Sequence, residues 1–250
     1  MEGIVMLSTS GPIVIQGAMK EELDYLLLLL EDKRSETHAG FDFYLGKIAG
    51  KDIILSATCI GAVNCAIATT LAIERYKPSL IINQGCAGGY REDLELGDIV
   101  VANKIYYGGA IITPLKGYCQ GSNALDWKIG SYSDIADFSN WSGFVIDIDP
   151  VLCDFAMGVA FSAGKLHKGA INSSDFWNRE KDRIAKIRDD LDCYCEEMES
   201  FAAGRVCESF GVSFLAYRAI SNNHIKDEDY LESTLRNSQE FTEKLILSSN

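Results

Sequence analysis

Short runs of β-branched and leucine residues alternate with longer amphipathic stretches along this chain, and that alternation constrains the fold more than any other feature. Ile13-Val14-Ile15 reads as a buried first strand that Gly17 ends, and residues 20–32, leucine-rich and flanked by charge, read as a helix. Residues 41–48 and 52–58 read as a hairpin turning at Ala49-Gly50-Lys51. Gly61 opens a helix over 62–76, and Pro78 stops it before the apolar strand Leu80-Ile81-Ile82. Residues 83–89 read as a loop, and 99–101 as a strand after Gly97-Asp98. Further on, 150–163 reads as a helix, 168–172 as a strand, and 175–190 as loop and charged helix. Residues 199–210 read as a helix stopped at Gly211, 213–220 as a strand, and 230–247 as the last helix. The stretch from 106 to 141, rich in Gly, Ser and aromatics, has no clear period and suits a substrate-covering loop or a subunit contact. This order predicts a single-domain α/β fold: a central twisted mixed β-sheet flanked by helices. Residues 1–12 are expected to be a flexible leader, and 13–250 the domain.

In such sheets ligands bind outside the carboxyl ends of the strands. The polar motifs fall there, after Ile15, Ile82 and Ile220. Charge narrows the choice of ligand. The 250 residues carry a formal net charge of −13, so phosphate backbones are repelled unless a basic stripe compensates. The densest basic run, Arg179 to Arg188, is interleaved with Glu180, Asp182 and Asp189 and reads as a solvated helix face. No nucleic-acid partner is expected. A membrane partner is not expected either, because the longest apolar run, Leu26 to Leu30, is far below the roughly 20 residues of a span. Met1 to Ser10 lacks the features of a signal peptide. The eight cysteines are scattered through apolar segments, which suits buried thiols in a reducing, cytoplasmic compartment. Cys193 and Cys195 form a C-x-C, but no second pair or nearby His completes a metal set, and His38, His167 and His224 are widely spaced. No metal or cofactor is expected.

Three segments carry the chemistry. They are Gly17-Ala18-Met19-Lys20-Glu21-Glu22, then Asn83-Gln84-Gly85-Cys86-Ala87-Gly88-Gly89, then Glu196-Glu197-Met198-Glu199 with Arg218-Ala219-Ile220-Ser221-Asn222 after it. Each alone is weak, since Gly-rich loops and acidic helix starts are common; Glu21 and Glu22 would also favour a helix N-terminus by the dipole alone. In this order and spacing they resemble the nucleoside phosphorylase and nucleosidase superfamily, most closely the methylthioadenosine/S-adenosylhomocysteine nucleosidase branch. The resemblance runs over residues 13–248 and is weakest over 107–149.

The resemblance implies cleavage of the N-glycosidic bond of a purine nucleoside. Glu22 matches the carboxylate that positions and deprotonates the attacking water. Glu199 matches the glutamate that holds the ribose hydroxyls, with Glu197 and Met198 beside it; Met198 serves equally as core filler. Phe176, Trp177 and Asn178 match the segment that stacks on and hydrogen-bonds the base. Met19, Ile60 and Tyr230 match the wall around the sugar's 5′ side, and Ala87, Gly88 and Ser221 are further substrate-binding candidates. Phosphorylases of the superfamily hold phosphate with arginines. Here Asn83 stands where such an arginine is expected, and Glu22 would repel phosphate, although Arg91 is near in sequence. Water is therefore the expected acceptor.

Two positions depart from the branch. An aspartate that protonates N7 is replaced by Asn222, and the serine that bonds it is replaced by Cys86. Trp177 and Asn178 also replace smaller apolar residues. Three readings follow: a 6-oxopurine nucleosidase, a slower adenine nucleosidase, or a protein that binds nucleosides without turning them over. The resemblance further implies a homodimer in which one subunit caps the other's pocket.

Overall fold

The computed structural model describes residues 11–129 and 144–249. β1 (Ile13–Gly17) is buried at every position, so both of its faces are covered. It is followed by α1 (Asp24–Leu29) and the meander β2 (Glu31–His38), β3 (Phe41–Ile48) and β4 (Lys51–Ala57). Next come α2 (Ala62–Tyr76), β5 (Leu80–Asn83), β6 (Cys86–Gly89), β7 (Ile99–Tyr107) and the short pair β8 (Ile111–Ile112) and β9 (Lys128–Ile129). The second half holds β10 (Val145–Asp147), α3 (Pro150–Met157), β11 (Leu166–Ser173), α4 (Lys181–Leu191), β12 (Cys193–Glu197), α5 (Ser200–Phe210), β13 (Ser213–Asn222) and α6 (Leu235–Ser248).

Eleven of these strands form one mixed sheet, ordered β10-β7-β11-β12-β6-β13-β5-β1-β4-β3-β2. β13, β5, β1 and β4 are parallel neighbours. β7 also pairs with β13, Tyr217 opposite Val101, so β7, β11, β12, β6 and β13 close into a five-stranded ring. The expected sheet is thus present, with one half curled shut rather than open. Helices α2 and α5 pack together, and α5 and α6 both lie on β13, whose residues past Ser213 are all buried.

Some expected elements differ. Residues 20–32 do not make one helix: a 3-10 turn (Lys20–Glu22) leads into α1, and the chain leaves as β2. β2 is a polar edge strand, Glu31 to His38, with no apolar alternation to announce it; such charge keeps a sheet edge from pairing with other chains. The helix after Pro150 stops at Met157, and Cys86 to Gly89 is a strand rather than loop. Of the expected leader, 1–10 lies outside the described residues, whereas Gly11 and Pro12 are tied to Ser79 through their carbonyls. The aperiodic stretch 106–141 ends in 130–141, also outside the described residues. Among the described residues, no helix is long and apolar enough to cross a membrane.

Candidate active site

The carboxyl ends of β1, β4, β5 and β13 point the same way, and the chain leaving them surrounds a cleft of about 150 Å³ that opens to solvent. Its wall contains Met19, Glu22, Ile60, Cys86, Ala87, Gly88, Phe176, Trp177, Glu197, Met198, Glu199, Ser221, Asn222 and Tyr230. Of the residues picked from sequence only Asn178 stands back from it. The wall also takes in Ala18 and Glu196.

Glu22 is buried, and the chain around it is built to hold its carboxylate. The 3-10 turn brings the side chain back onto its own loop: Oε2 accepts from the Ala18 N–H at 2.7 Å and the Met19 N–H at 3.2 Å, and Oε1 from the Cys86 N–H at 2.9 Å. Gln84 Nε2 fixes the Glu22 carbonyl at 2.7 Å. Gly85 is required by this approach, because a Cβ there would lie 2.4 Å from Glu22 Oε1. Glu21, its neighbour, is exposed and takes no part.

The two glutamates around Met198 have different work. Glu197 Oε1 accepts from Ser200 Oγ at 2.6 Å, and Oε2 from the Glu199 and Ser200 N–H groups at 2.9 and 2.8 Å. Oε2 also meets Arg218 Nη2, both side chains being 2% exposed. Burial works against ionising Glu197, but Arg218 and the hydrogen bonds outweigh it and hold its pKa below the usual carboxylate value. Glu197 therefore anchors Arg218 rather than offering a free carboxylate to a sugar. Arg218 in turn donates to the Asn83 carbonyl at 2.9 Å and to Asn83 Oδ1. Asn83 thus faces the buried arginine and Gln16, not the cleft.

Glu199 lacks such a cation. Its Oε1 accepts from the Gly61 N–H at 2.8 Å at the start of α2, and the next amide, Ala62 N–H, goes to Asp175 at 2.9 Å. Burial raises the Glu199 pKa to about 8, and the Glu197 charge adds to the rise. A carboxyl whose only described partner is one backbone amide retains capacity for two donors from a ligand.

At the other end, Phe176 and Trp177 are about half exposed (53% and 55%) on a loop pinned on both sides. Asp175 ties it to α2, and Asn178 ties it to Glu196: Oε1 accepts from the Asn178 N–H at 2.9 Å, and Oε2 from Asn178 Nδ2 and the Tyr90 hydroxyl, each at 2.5 Å. Burial pushes Glu196 up to about 7. Glu196, Tyr90 and Asp175 were missed as site residues. Glu196 could have been noticed, since a carboxylate next to Cys195 in an apolar strand demands partners.

The expected Cys86–Asn222 pair is not what meets Asn222. Ser221 Oγ lies 3.2 Å from Asn222 Oδ1, so the neighbouring serine supplies the hydroxyl. The Cys86 thiol instead lies against Ser221 and Glu22; burial first, then the Glu22 charge, raises its pKa. Arg91 pairs with Asp192 and stacks over Tyr194, away from the cleft. Cys193 and Cys195 are both buried, and among the described residues no cluster of His, Cys, Asp or Glu is placed to hold a metal.

The family model of the phosphorylase superfamily matches residues 12–248, and the chain belongs to that superfamily. A 5′-methylthioadenosine/S-adenosylhomocysteine nucleosidase of Bacillus thuringiensis is 31% identical over 240 residues, spanning 94% of this chain and 97% of that one. Among solved structures, a nucleosidase of the same name from Colwellia psychrerythraea, in complex with adenine, superposes with a TM-score of 0.78 at 25% identity, covering 96% of each chain. Futalosine hydrolase of Helicobacter pylori also superposes at 0.78 and 25% identity, over 94% of this chain and 97% of that one.

Proposed function

We propose that this chain is a purine nucleosidase: it hydrolyses the N-glycosidic bond of a nucleoside to free base and sugar, with water as the acceptor. One observation carries the choice of water. Among the described residues, the cleft wall holds Glu22, Glu196, Glu197 and Glu199 and no Lys, Arg or His, so an anionic acceptor meets four carboxyl groups and no free cation there. Arg218, the buried cation nearest by contact, is committed to Glu197. The first two amides of α2, a natural phosphate cradle, are already taken by Glu199 and Asp175.

In this reading Glu22 orients a water at the sugar's anomeric carbon and takes its proton as the carbon–nitrogen bond breaks. The hydroxide half joins the sugar, the departing base takes a proton from solvent water, and Glu22 returns its proton to solvent. Glu199 holds the ribose hydroxyls, and Met198 packs beside them. Phe176 stacks on the base. Met19, Ile60 and Tyr230 surround the 5′ substituent, which suits the methylthio and homocysteine groups in the names of the relatives. Asn222 donates to the leaving base but cannot deliver a proton.

The reading includes a homodimer. Ile60, Val63 and Ile67 are 55%, 71% and 43% exposed at the rim of the cleft and the start of α2, an apolar stripe that a second copy would cover. A reducing, cytoplasmic setting suits the eight unpaired cysteines, five of them buried.

The test is to incubate the full chain with adenosine, inosine, guanosine, methylthioadenosine and S-adenosylhomocysteine, with and without phosphate, and to measure free base. Release independent of phosphate is expected. Release that needs phosphate makes the protein a phosphorylase. Binding with no release from any of the five makes it a nucleoside-binding protein, the outcome that the loss of an acid at Asn222 favours.

A further inference from the structure

β12, β6 and β13 lie side by side, and one row across them reads Glu196, Gly88, Asn222. Paired residues on adjacent strands turn their side chains to the same face. Glycine puts no side chain in the middle of this row, and the flanking groups approach closely over it. A Cβ on Gly88 would lie 3.0 Å from Asn222 Nδ2 and 3.6 Å from Glu196 Cγ. The row is therefore a slot with an amide on one side and a glutamate on the other, in the same wall as Phe176 and Trp177.

The two flanking groups differ in polarity. Asn222 Oδ1 lies 3.2 Å from Ser221 Oγ, which lies equally near the Ala87 carbonyl, and Nδ2, a donor, is the amide atom closer to the slot. Among the described residues Glu196 has no ion-pair partner; its three donors there are the Tyr90 hydroxyl and two N–H groups of Asn178, and only one of them reaches Oε1. A carboxylate offers about four lone-pair positions, so acceptor capacity remains on Oε1. A donor and an acceptor side by side discriminate between purines. A 6-oxopurine presents the O6 acceptor beside the N1–H donor. Adenine presents the reverse, an amino donor beside the N1 lone pair.

The geometry points to Glu196 as the base-selecting residue of this cleft: its carboxylate accepts from N1–H of a 6-oxopurine while Asn222 Nδ2 donates to O6 or N7. The inference rests on the nucleosidase reading and narrows it to hypoxanthine- and guanine-type bases. Adenine in the same slot would leave a donor facing a donor and a lone pair facing a carboxylate. Sites built to hydrogen-bond one pattern reject its inverse strongly, because buried polar groups are left unpaired.

The test compares inosine with adenosine, which share a sugar, in the unmodified chain and in Glu196→Gln. Glutamine keeps an acceptor for the Asn178 N–H but loses the charge. The unmodified chain is expected to have at least tenfold higher kcat/KM for inosine. In Glu196→Gln the inosine-to-adenosine ratio is expected to fall ten- to a hundredfold. A ratio that does not move while both rates fall together is what a merely structural role gives, and it overturns the proposal, as does an unmodified chain that prefers adenosine. If no nucleoside releases base, the nucleosidase reading fails, and calorimetric binding of free hypoxanthine against free adenine decides base selection separately. Tighter hypoxanthine binding that Glu196→Gln erases supports the proposal, and equal affinities overturn it.

Discussion

The two ends of the cleft are fixed by different kinds of contact. At the end proposed to hold the sugar, Glu22 and Glu199 are held by main-chain N–H groups: Ala18, Met19 and Cys86 for the first, Gly61 for the second. At the end proposed to hold the base, side chains do most of the holding: the Tyr90 hydroxyl and Asn178 Nδ2 join one main-chain N–H of Asn178 on Glu196, and Ser221 Oγ lies 3.2 Å from Asn222 Oδ1. Groups fixed by backbone cannot be retuned without moving the strands that carry them. A network of side chains can be rewritten by a few substitutions at little cost to the fold, provided every buried member keeps a partner. Sugar and water chemistry is common to every purine nucleoside, and the base is what differs.

The strongest way to break this contrast is Glu22→Gln. A glutamine amide would set its own donors against at least one of the three N–H groups that now converge there, and it cannot take a proton from water. General-base catalysis is worth about 10²- to 10⁴-fold, so kcat should fall by about 10³ while calorimetric nucleoside affinity stays within a few-fold. A variant that retains a tenth of its activity would remove Glu22 from the water-activating role.

Asn222→Asp probes the opposite end. It restores a group that can be protonated without touching the backbone, and Ser221 is already in place to partner it. Adenosine release should rise by about 10²-fold, the lower range of general-acid catalysis. Adding Cys86→Ser should change the rate less than threefold, because the Cys86 thiol lies against Glu22 and Ser221. Steady-state rates of base release check both. A gain that appears only in the double variant would reinstate the Cys86 position as the partner of residue 222.

Part of this was legible from the chain. The strands Ile13-Val14-Ile15 and Leu80-Ile81-Ile82 could be read directly from their apolar runs, whereas Glu22 and Glu199 could be singled out only through the family resemblance, since acidic residues at a helix start are common. α2 was read to the residue, Gly61 and Pro78 marking its limits. The contacts of Glu196 and Glu197 were not legible. Adjacent in sequence, they differ only in which neighbour arrives, Arg218 for one and the pair Tyr90 and Asn178 for the other, and those neighbours come from distant strands and loops. β2 escaped for a simpler reason: an exposed edge strand buries no face, so no alternation is imposed on its residues. The closure of β7 onto β13 is a long-range pairing that no local pattern encodes.

Phe176→Ala tests the base end by packing rather than polarity. The ring is half exposed in the cleft wall, outside the core, so truncation should leave stability nearly unchanged. Aromatic stacking on a base is worth roughly 1–3 kcal/mol, and the lower figure corresponds to about a fivefold rise in KM with kcat little altered. A matching fall in kcat would mean that Phe176 positions the leaving group as well as binding it.

The smallest effect concerns the pH dependence of the sugar end. Burial and the Glu197 charge raise Glu199 to about 8 in the empty cleft, above its unfolded value. A carboxyl raised on folding contributes stability that is complete below its unfolded pKa and is lost as pH rises through about 8. Nucleoside binding has the opposite sign. The ionised carboxyl accepts from both ribose hydroxyls, so affinity should rise with pH and level off above about 8, by several-fold between pH 6.5 and 8.5 as an order of magnitude. Over the same interval the melting temperature of the empty protein should decline. Glu199→Gln should flatten the affinity profile and lessen the decline, leaving Glu196, raised to about 7, as a second carboxyl that weakens the fold as it ionises. Calorimetric affinity and thermal melting, measured side by side, read the two signs independently. If both rise together, Glu199 is not the group that trades fold stability for ribose binding, and the backbone-held end of the cleft is as adjustable as the other.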